Sequence, residues 1–282
     1  TLKSLAKAGY CIIVIEHRLD VVLPFVDKVF HVGNRNVNEI TDRENYLKEQ
    51  STEIEDTCST FSGTLPAFSL ADVAFAVKER DILNGVTFDI LKGSRTVLLG
   101  ENGCGKTTLL RLISRLEKPT RGVILQNIDD KFGQKSKQSK KWYKKVGVVY
   151  QNPDYQLFMQ TVEKEIKFGA KSDEYADEIA EKFGIKHLYA RHPQSLSEGQ
   201  KRRVSIAAVV ATDPEVLILD EPTVGQDYKG LCEMVEVLNK LHEEAHNTMI
   251  TVTHDKRCAA ALCDKSVWIK NGKTYKTGGK EL

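Results

Sequence analysis

The chain has 282 residues, of which 41% are hydrophobic and 28% charged, a composition typical of one large soluble globular domain or slightly more. Its net charge of +2 predicts no nucleic-acid partner, because such partners select a concentrated basic surface. The six cysteines form no Cys-x-x-Cys pair, so neither a zinc site nor a disulfide framework is expected. No run reaches the roughly 18 apolar residues of a membrane span, so any membrane role should be peripheral.

The first 40 residues predict a strand, a helix and a second strand. An apolar run from Cys11 to Ile15 predicts the first strand, and Val29 to Val32 predicts the second. Residues 41–66 are mostly polar and cannot bury much surface, which predicts a linker. Strand-like and helix-like stretches then alternate to the end of the chain, a pattern typical of α/β architecture with a largely parallel sheet.

The segment RTVLLGENGCGKTT (95–108) predicts a phosphate-binding loop after a buried strand, because it fits G-x-x-x-x-G-K-[ST]. Glycines let several backbone N–H groups surround phosphate oxygens, and a helix that begins at the loop turns its positive end to the same anion. We expect Lys106 to reach the β- and γ-phosphates of a nucleotide and Thr107 to hold Mg²⁺. The predicted ATP-binding residues are Gly100, Asn102, Gly103, Gly105, Lys106, Thr107 and Thr108.

The helix after this loop is predicted to turn one apolar face to the core. Leu109, Leu112, Ile113 and Leu116 follow the i, i+3, i+4, i+7 spacing of such a face.

Residues 131–145 hold seven lysines. They could form a patch for anionic lipid or nucleic acid. A solvated surface insertion is the favoured interpretation, because the run is local and the rest of the chain is close to neutral.

Three further segments place polar residues where catalysis or a simple turn could use them. In VLILDE (216–221), Asp220 ends a buried-type strand and Glu221 follows it. Asp220 could bind Mg²⁺ and Glu221 could act as a general base, or the two acids could simply mark a turn or a helix start. MITVTH (249–254) is a similar strand ending in His254, which alone would more often be structural. SLSEGQKRR (195–203) contains a possible helix capping box.

The order of these motifs resembles that of the ATP-binding cassette (ABC) ATPases over residues 67–282. The segments that carry the resemblance are GENGCGKTT, YQNPD (150–154), LSEGQ (196–200), LILDEP (217–222), VGQD (224–227) and TH (253–254). The resemblance implies a P-loop NTPase cassette with a RecA-like core of mostly parallel sheet, an antiparallel β subdomain and a helical signature subdomain.

The resemblance also implies a role for each matching residue and a need for two ligands, ATP and Mg²⁺. Glu221 would be the catalytic base, His254 the switch histidine that contacts the γ-phosphate, and Gln151 the residue that senses Mg²⁺ and the transport partner. The implied metal ligands are Thr107, Gln151 and Asp220. The implied signature loop, which would bind ATP held by a second cassette, contains Ser197, Gly199 and Gln200, and the implied D-loop aspartate is Asp227.

Three residues depart from the family pattern. Val77 stands where an aromatic residue usually stacks on adenine, which weakens the expectation of base stacking. Glu198 replaces a common glycine and adds a negative charge near a triphosphate site, and Gln226 replaces a common leucine. None of them removes the base, the lysine or the histidine, so catalysis is still predicted.

The stretch YQNPDYQLFMQTVEKEIKFG (150–169) further resembles the cassettes of energy-coupling-factor importers, although a generic loop leading into a helical subdomain is an alternative. The implied function is ATP hydrolysis that energises a membrane importer from the cytoplasmic face. The partners would be a second cassette and an integral membrane component, with Tyr155, Leu157 and Phe158 as an apolar interface patch. The alternatives are an ABC ATPase of translation, DNA repair or Fe–S assembly, and a regulatory module without turnover.

The first residues resemble the last ones. Residues 11–34 align without gaps to residues 248–271, so that His17 matches His254 and Asp27 matches Asp264, an offset of 237 residues. Residues 1–40 are therefore predicted to be the carboxyl-terminal remnant of a preceding cassette. Residues 41–66 are then a linker, and 67–282 a complete ABC domain. Convergent strand–helix–strand patterning is the alternative.

Overall fold

The computed structural model describes residues 2–15, 22–33, 36–43, 45–46, 63–78, 80–128 and 140–278. The chain divides into two compact units, Thr1–Ile54 and Glu55–Leu282. No helix among the described residues has both the length and the apolar character that crossing a bilayer requires. The cysteines that the structure describes, at positions 11, 104, 232, 258 and 263, form no disulfide with one another.

The first unit holds helix α1 (Leu2–Lys7), a 3-10 turn (Leu23–Phe25) and an antiparallel hairpin of β1 (Phe30–Gly33) and β2 (Asn36–Glu39). The hairpin confirms the second predicted strand to within one residue. The strand predicted from Cys11 to Ile15 is wrong, since these residues join no sheet and Ile13 and Ile15 are 87% and 90% exposed. A strand is stabilised by the strands that pair with it, and an apolar run alone does not supply such a partner.

The second unit is built on two sheets. The strands are β3 (Pro66–Val77), β4 (Arg80–Leu91), β5 (Arg95–Leu99), β6 (Arg121–Gln126), β7 (Val146–Val149), β8 (Val216–Asp220), β9 (Thr248–Val252), β10 (Lys265–Lys270) and β11 (Lys273–Gly278). The larger sheet has the order β11–β10–β5–β9–β8–β7, and every neighbouring pair is parallel except β10 and β11. The smaller sheet is antiparallel with the order β4–β3–β6.

The helices of this unit complete the predicted cassette architecture. They are α2 (Lys106–Ile113), α3 (Lys140–Lys145), α4 (Val162–Lys167), α5 (Asp173–Lys182), α6 (Glu198–Val210), α7 (Tyr228–Ala245) and α8 (Lys256–Ala261). Helices α4, α5 and α6 contact one another and form the helical subdomain between β7 and β8. The mostly parallel core, the antiparallel sheet and this helical part confirm the predicted fold class.

Helix α2 carries the predicted apolar face only in part. Leu109, Leu112 and Ile113 are buried in the main core. The helix ends at Ile113, where the Ser114 N–H donates to the Leu110 carbonyl, so Leu116 lies beyond it and is 44% exposed. The prediction that Leu116 faces the core is wrong, because the chain turns away before it can reach that face.

Most of the lysine-rich run lies outside the described residues, but its end is anchored. Trp142 of α3 is buried, and its Nε1 donates to Gln126 Oε1 over 2.8 Å. The hydrogen bond satisfies the indole N–H inside the core, as burial of tryptophan requires. The carboxyl-terminal part of the run is therefore packed against the end of β6.

A buried ion pair ties the start of β5 to its surroundings. Three nitrogens of Arg95 donate to the Asp264 carboxylate: the backbone N over 2.7 Å, Nε over 3.2 Å and Nη2 over 2.8 Å. The remaining Nη1 donates to Asn239 Oδ1 of α7 over 2.7 Å. Asp264 directly precedes β10, so the pair joins two neighbouring strands and one helix beneath the sheet.

Candidate functional site

Three neighbouring strands bring the predicted site residues to one edge. Val252 of β9 is in register with Leu98 of β5 on one side and with Asp220 of β8 on the other. The carboxyl ends of the three strands therefore lie in one row. Ligands of open α/β sheets bind outside this edge, and the chain leaves it here through the phosphate loop, Glu221 and His254.

The phosphate loop depends on glycine at its two ends. Gly100 has φ +149° and Gly105 has φ +105°, and both are in the region that favours glycine. A Cβ at Gly100 would lie 2.3 Å from the Ile269 carbonyl oxygen, and one at Gly105 would lie 2.5 Å from Leu83 Cδ2. No side chain fits at either point, so the loop closes tightly around the start of α2.

Lys106 and the amino end of α2 turn positive charge into the loop. The Lys106 Nζ donates to the carbonyl oxygens of Gly100 over 2.7 Å and Glu101 over 3.0 Å. The ammonium is buried over the mouth of the loop, and the helix that starts there adds its own positive end. The structure thus brings the predicted ATP-binding residues together, with Asn102 and Gly103 at the exposed tip and Thr107 and Thr108 in the first turn.

Asp220 and Thr107 form a pair of oxygen donors suited to Mg²⁺. Asp220 is buried, which raises the pKa of its carboxyl group, while the Thr107 hydroxyl that hydrogen-bonds it acts in the opposite direction. Its Oδ1 is buried and has no hydrogen-bond partner among the described residues. Mg²⁺ takes one or two protein oxygens and completes its shell with phosphate and water, so these atoms fit the ion.

Gln151 is less closely tied to this pair. It follows β7, the neighbour of β8, and its side chain is exposed. Its carbonyl oxygen accepts a hydrogen bond from Arg202 of α6. Among the described residues, no group of three His, Cys, Asp or Glu side chains could hold a metal ion.

Glu221 and His254 meet at the same edge. The Glu221 Oε1 lies 2.9 Å from His254 Nδ1, and its Oε2 accepts from the His254 N–H over 3.4 Å. Glu221 is buried, whereas the imidazole is half-exposed. The carboxylate thus holds the ring through Nδ1, an arrangement suited to a general base beside a phosphate-contacting histidine.

The signature loop is also a well-formed helix start. Ser197 caps α6 by accepting from the Gln200 N–H over 3.3 Å, while Gln200 Oε1 accepts from the Ser197 N–H over 3.2 Å. The capping box considered for this segment is therefore present. Ser197 is exposed and Gln200 is partly exposed, so both remain accessible from solvent while they cap the helix.

Gln226 links the signature loop to the segment after Glu221. Its Nε2 donates to the Gly199 carbonyl over 2.9 Å, a bond that the common leucine could not make. The neighbouring Asp227 caps α7 by accepting from the Gly230 N–H over 2.7 Å. Glu198 pairs with Lys201 over 3.3 Å, so the charge that this departure adds is partly offset.

A cavity of about 350 Å³ opens on the other side of the phosphate loop. Because β5 lies between β9 and β10, this side is opposite to Glu221 and His254. The cavity is lined by residues 80–82, Asn84, residues 101–104 and residues 269–272. Val77 does not line it, whereas Arg80 and Ile82 do. The sequence reasoning missed Arg80, although a cation three residues after Val77 was a visible signal.

The segment Gln151–Phe158, here called the docking segment, has an exposed aromatic patch. Tyr155 and Phe158 are 80% and 66% exposed, and the Phe158 ring meets that of exposed Phe168 edge-on at 5.3 Å between centroids. Leu157 is only 5% exposed, so its predicted place in the patch is wrong. Phe168 was missed because its ring joins the patch from across α4.

The comparisons agree with this geometry. The family model described as ABC transporter matches residues 83–224. The chain is 40% identical over 219 residues to the energy-coupling factor transporter ATP-binding protein EcfA2 of Enterococcus faecalis, covering 72% of this chain and 74% of that protein. It is 30% identical to the ATP-binding protein YkoD of Bacillus subtilis, covering 92% of this chain and 54% of that one.

A solved structure extends the likeness to the fold. CbiO1 from Clostridium perfringens, described as part of the ABC transporter complex CbiONQ, superposes with a TM-score of 0.67 at 32% identity. The match covers 77% of this chain and 90% of that one.

Proposed function

The chain is an ABC-type ATPase that belongs to the ABC transporter family, among the energy-coupling factor transporter ATP-binding proteins, and we propose that it energises a membrane importer of this type. The observation that carries the chemistry is the Glu221–His254 pair, 2.9 Å apart, at the strand edge that also bears the phosphate loop. We further propose that the subunit works at the cytoplasmic face of the membrane as a peripheral component.

Each residue of the site has a task in hydrolysis. Lys106 and the loop N–H groups bind the β- and γ-phosphates, which positions the terminal phosphoryl group. Glu221 orients a water molecule and takes up its proton, and His254, held by Glu221, contacts the γ-phosphate. Thr107 and Asp220 would hold Mg²⁺, with Gln151 as a further ligand, and the ion would neutralise charge on the phosphate oxygens.

The test of this assignment is Glu221→Gln, with Glu215→Gln as a matched control. Removal of a positioned general base lowers the rate by about 10²–10⁴-fold, so we expect such a loss in steady-state ATPase activity with ATP binding retained. Glu215 is an exposed residue that pairs with Lys145, and its variant should keep the wild-type rate. A wild-type rate for Glu221→Gln in a preparation free of contaminating ATPase would refute the assignment.

We propose that ATP is bound between two cassettes. The phosphate loop and the signature loop of one cassette are both formed here, and in the proposed assembly Ser197, Gly199 and Gln200 serve the nucleotide of another cassette, next to Asp227. Turnover should then depend on pairing. We expect the specific ATPase activity to rise with protein concentration, whereas a rate independent of concentration down to the nanomolar range would contradict a composite site.

We propose that the docking segment binds an integral membrane component. CbiO1 is described as part of a transporter complex, and large exposed aromatic rings such as Tyr155 and Phe158 typically mark an interface. The double variant Tyr155→Ala and Phe158→Ala should move the protein from the membrane fraction of its source cells to the soluble fraction. Tyr275→Ala, which changes another strongly exposed tyrosine, on β11, is the control. Unchanged membrane recovery would contradict the proposal.

We propose that the base and ribose of ATP occupy the 350 Å³ cavity, in contact with Arg80 and Ile82. The volume is within the range of small-molecule sites. The cavity adjoins the phosphate loop on the side away from the Glu221 carboxylate, where the nucleoside must extend if the γ-phosphate lies near that carboxylate. A guanidinium can stack on a base and so replace the aromatic ring that Val77 lacks.

We propose that residues 1–40 repeat the carboxyl-terminal part of a cassette, that residues 41–66 are a linker and that 67–282 form a complete ABC domain. At the offset of 237 residues, the left-handed Gly9 after α1 (φ +90°) matches the left-handed His246 after α7 (φ +50°). The turn pair Gly33–Asn36 likewise matches Lys270–Lys273. The YkoD match supports the repeat as well, because 92% of this chain exceeds the share that residues 67–282 alone could provide.

His17 and His254 provide a matched pair of variants for this proposal. His17 lies outside the described residues. The 282 residues contain one phosphate-loop motif, at residues 100–107, so His17→Ala should leave the ATPase rate of this chain unchanged. The same substitution at His254 should lower the rate strongly. Equal losses from the two variants would contradict the proposal.

A further inference from the structure

Two successive side chains of helix α6 bind the docking segment and the residue that precedes it. Arg202 donates from Nη1 to the Tyr150 carbonyl over 2.7 Å, and from Nη2 to the Gln151 carbonyl. Lys201 donates from Nζ to Asp154 Oδ1 over 2.9 Å. The segment is therefore fixed to the first turns of the helix that the signature loop begins.

Lys201 also holds the signature loop itself. Its Nζ lies 3.3 Å from Glu198 Oε1, so one ammonium is shared between a carboxylate of the docking segment and a carboxylate of the signature loop. The Lys201 side chain is only 9% exposed, and both anions are more exposed than it is. A cation shielded from water acts more strongly on its partners than one on an open surface.

Hydrogen bonds of Gln156 tie the docking segment to the end of β7. Gln156 closes it into a loop, because its Oε1 accepts from the Tyr150 N–H over 2.9 Å and its Nε2 donates to the Val148 carbonyl over 2.7 Å. Asp154 lies inside this closed loop and directly precedes the exposed Tyr155. A movement of the aromatic patch therefore moves the Asp154 carboxylate as well.

From these contacts we propose that Lys201 is a positioning residue that couples the docking segment to the signature loop through the Asp154–Lys201–Glu198 cluster. When Asp154 moves, the shared ammonium is redistributed between the two carboxylates and Glu198 shifts with it. The signature loop then changes its orientation toward the nucleotide of the second cassette. The role of the docking segment as a partner surface rests on the proposed function, but the coupling is a property of this chain alone.

The coupling is tested by changing one end and measuring the other, with amide hydrogen exchange on the full chain and without any nucleotide. Asp154→Asn should speed exchange at the amides of residues 198–200 by about 3- to 10-fold, the range of a modest local opening. Glu198→Gln should do the same at residues 151–156. Lys240→Met, which breaks the exposed pair with Glu236, is the control and should change neither region.

A second measurement separates positioning from mere stability. Lys201→Met should lower kcat for ATP about threefold or more while the Kd for ADP stays at the wild-type value, because the chain's own phosphate loop is untouched. Lys201→Arg should restore kcat, because a guanidinium at this position can still pair with both Asp154 and Glu198. Exchange that changes only at the mutated end, or a kcat that Lys201→Arg does not restore, would overturn the proposal. The exchange measurement needs no hydrolysis, so its failure is distinct from a failure of the ATPase assignment.

Discussion

The buried Arg95–Asp264 pair allows a stability effect to be worked out from its contacts. Asp264→Asn keeps the size of the side chain but removes its charge. In the native pair Oδ1 accepts from Nε and Nη2, and Oδ2 accepts from the Arg95 N–H. The amide has one oxygen only, so its NH₂ group must face an N–H donor on one side. Arg95 then remains charged and buried without its counter-ion.

Breaking one partner of such a buried pair typically costs about 3–5 kcal/mol. For a cassette of this size, each kcal/mol lowers the melting temperature by about 2–4 °C. We therefore expect Asp264→Asn to lower the melting temperature of the cassette unit by about 6–20 °C in a calorimetric or circular-dichroism scan. Glu163→Gln, which breaks an exposed pair with Lys167, should leave it almost unchanged. A shift below about 2 °C for Asp264→Asn would refute the reasoning.

Three further results are expected. Arg80→Ala should raise KM for ATP about 2- to 30-fold with kcat retained, which is the range expected for loss of a cation–π contact. The control Arg121→Ala should leave KM unchanged. Equal KM values for the two variants would exclude the contact between Arg80 and the base. Burial lowers the pKa of His242 below 6.5, so the neutral imidazole stabilises the fold at neutral pH. This stabilisation is lost as the pH falls, because the unfolded chain then binds the proton more readily. The melting temperature of His242→Gln should therefore fall less than that of the wild type between about pH 7 and about pH 5. Burial also raises the pKa of the Cys258 thiol to about 12. Iodoacetamide at about pH 8 should therefore alkylate exposed Cys11 and leave Cys258 unmodified until the protein unfolds. Peptide mass spectrometry measures both modifications.

The motifs at strand ends could be predicted because each is local. A glycine pattern fixes the backbone of the phosphate loop, and apolar runs such as residues 216–219 and 249–252 form strands buried on both faces. Once those strands are neighbours, Asp220, Glu221 and His254 must emerge at one edge. The site was therefore accessible to sequence reasoning even though its members are far apart in the chain.

The contacts that join distant segments could not be predicted in the same way. Lys201 and Asp154 are 47 positions apart, and no periodicity in either segment indicates the other. Leu157 and Phe158 are adjacent apolar residues, yet only the packing of the helical subdomain decides that one is buried and the other exposed. The same holds for residues 12–15, whose apolar character favours a strand but whose hydrogen bonds need a neighbouring strand that the described residues of this unit do not provide.

The backbone of Glu221 has a consequence for the evolution of this site. Its φ of +52° lies in the left-handed region, which costs a residue with a Cβ about 1 kcal/mol or more relative to glycine. Glu221→Gly should therefore raise the melting temperature above that of Glu221→Ala, although both lack the carboxylate. Selection for thermal tolerance alone would favour glycine here, so the strained glutamate agrees with the proposed role of its carboxylate in ATP turnover.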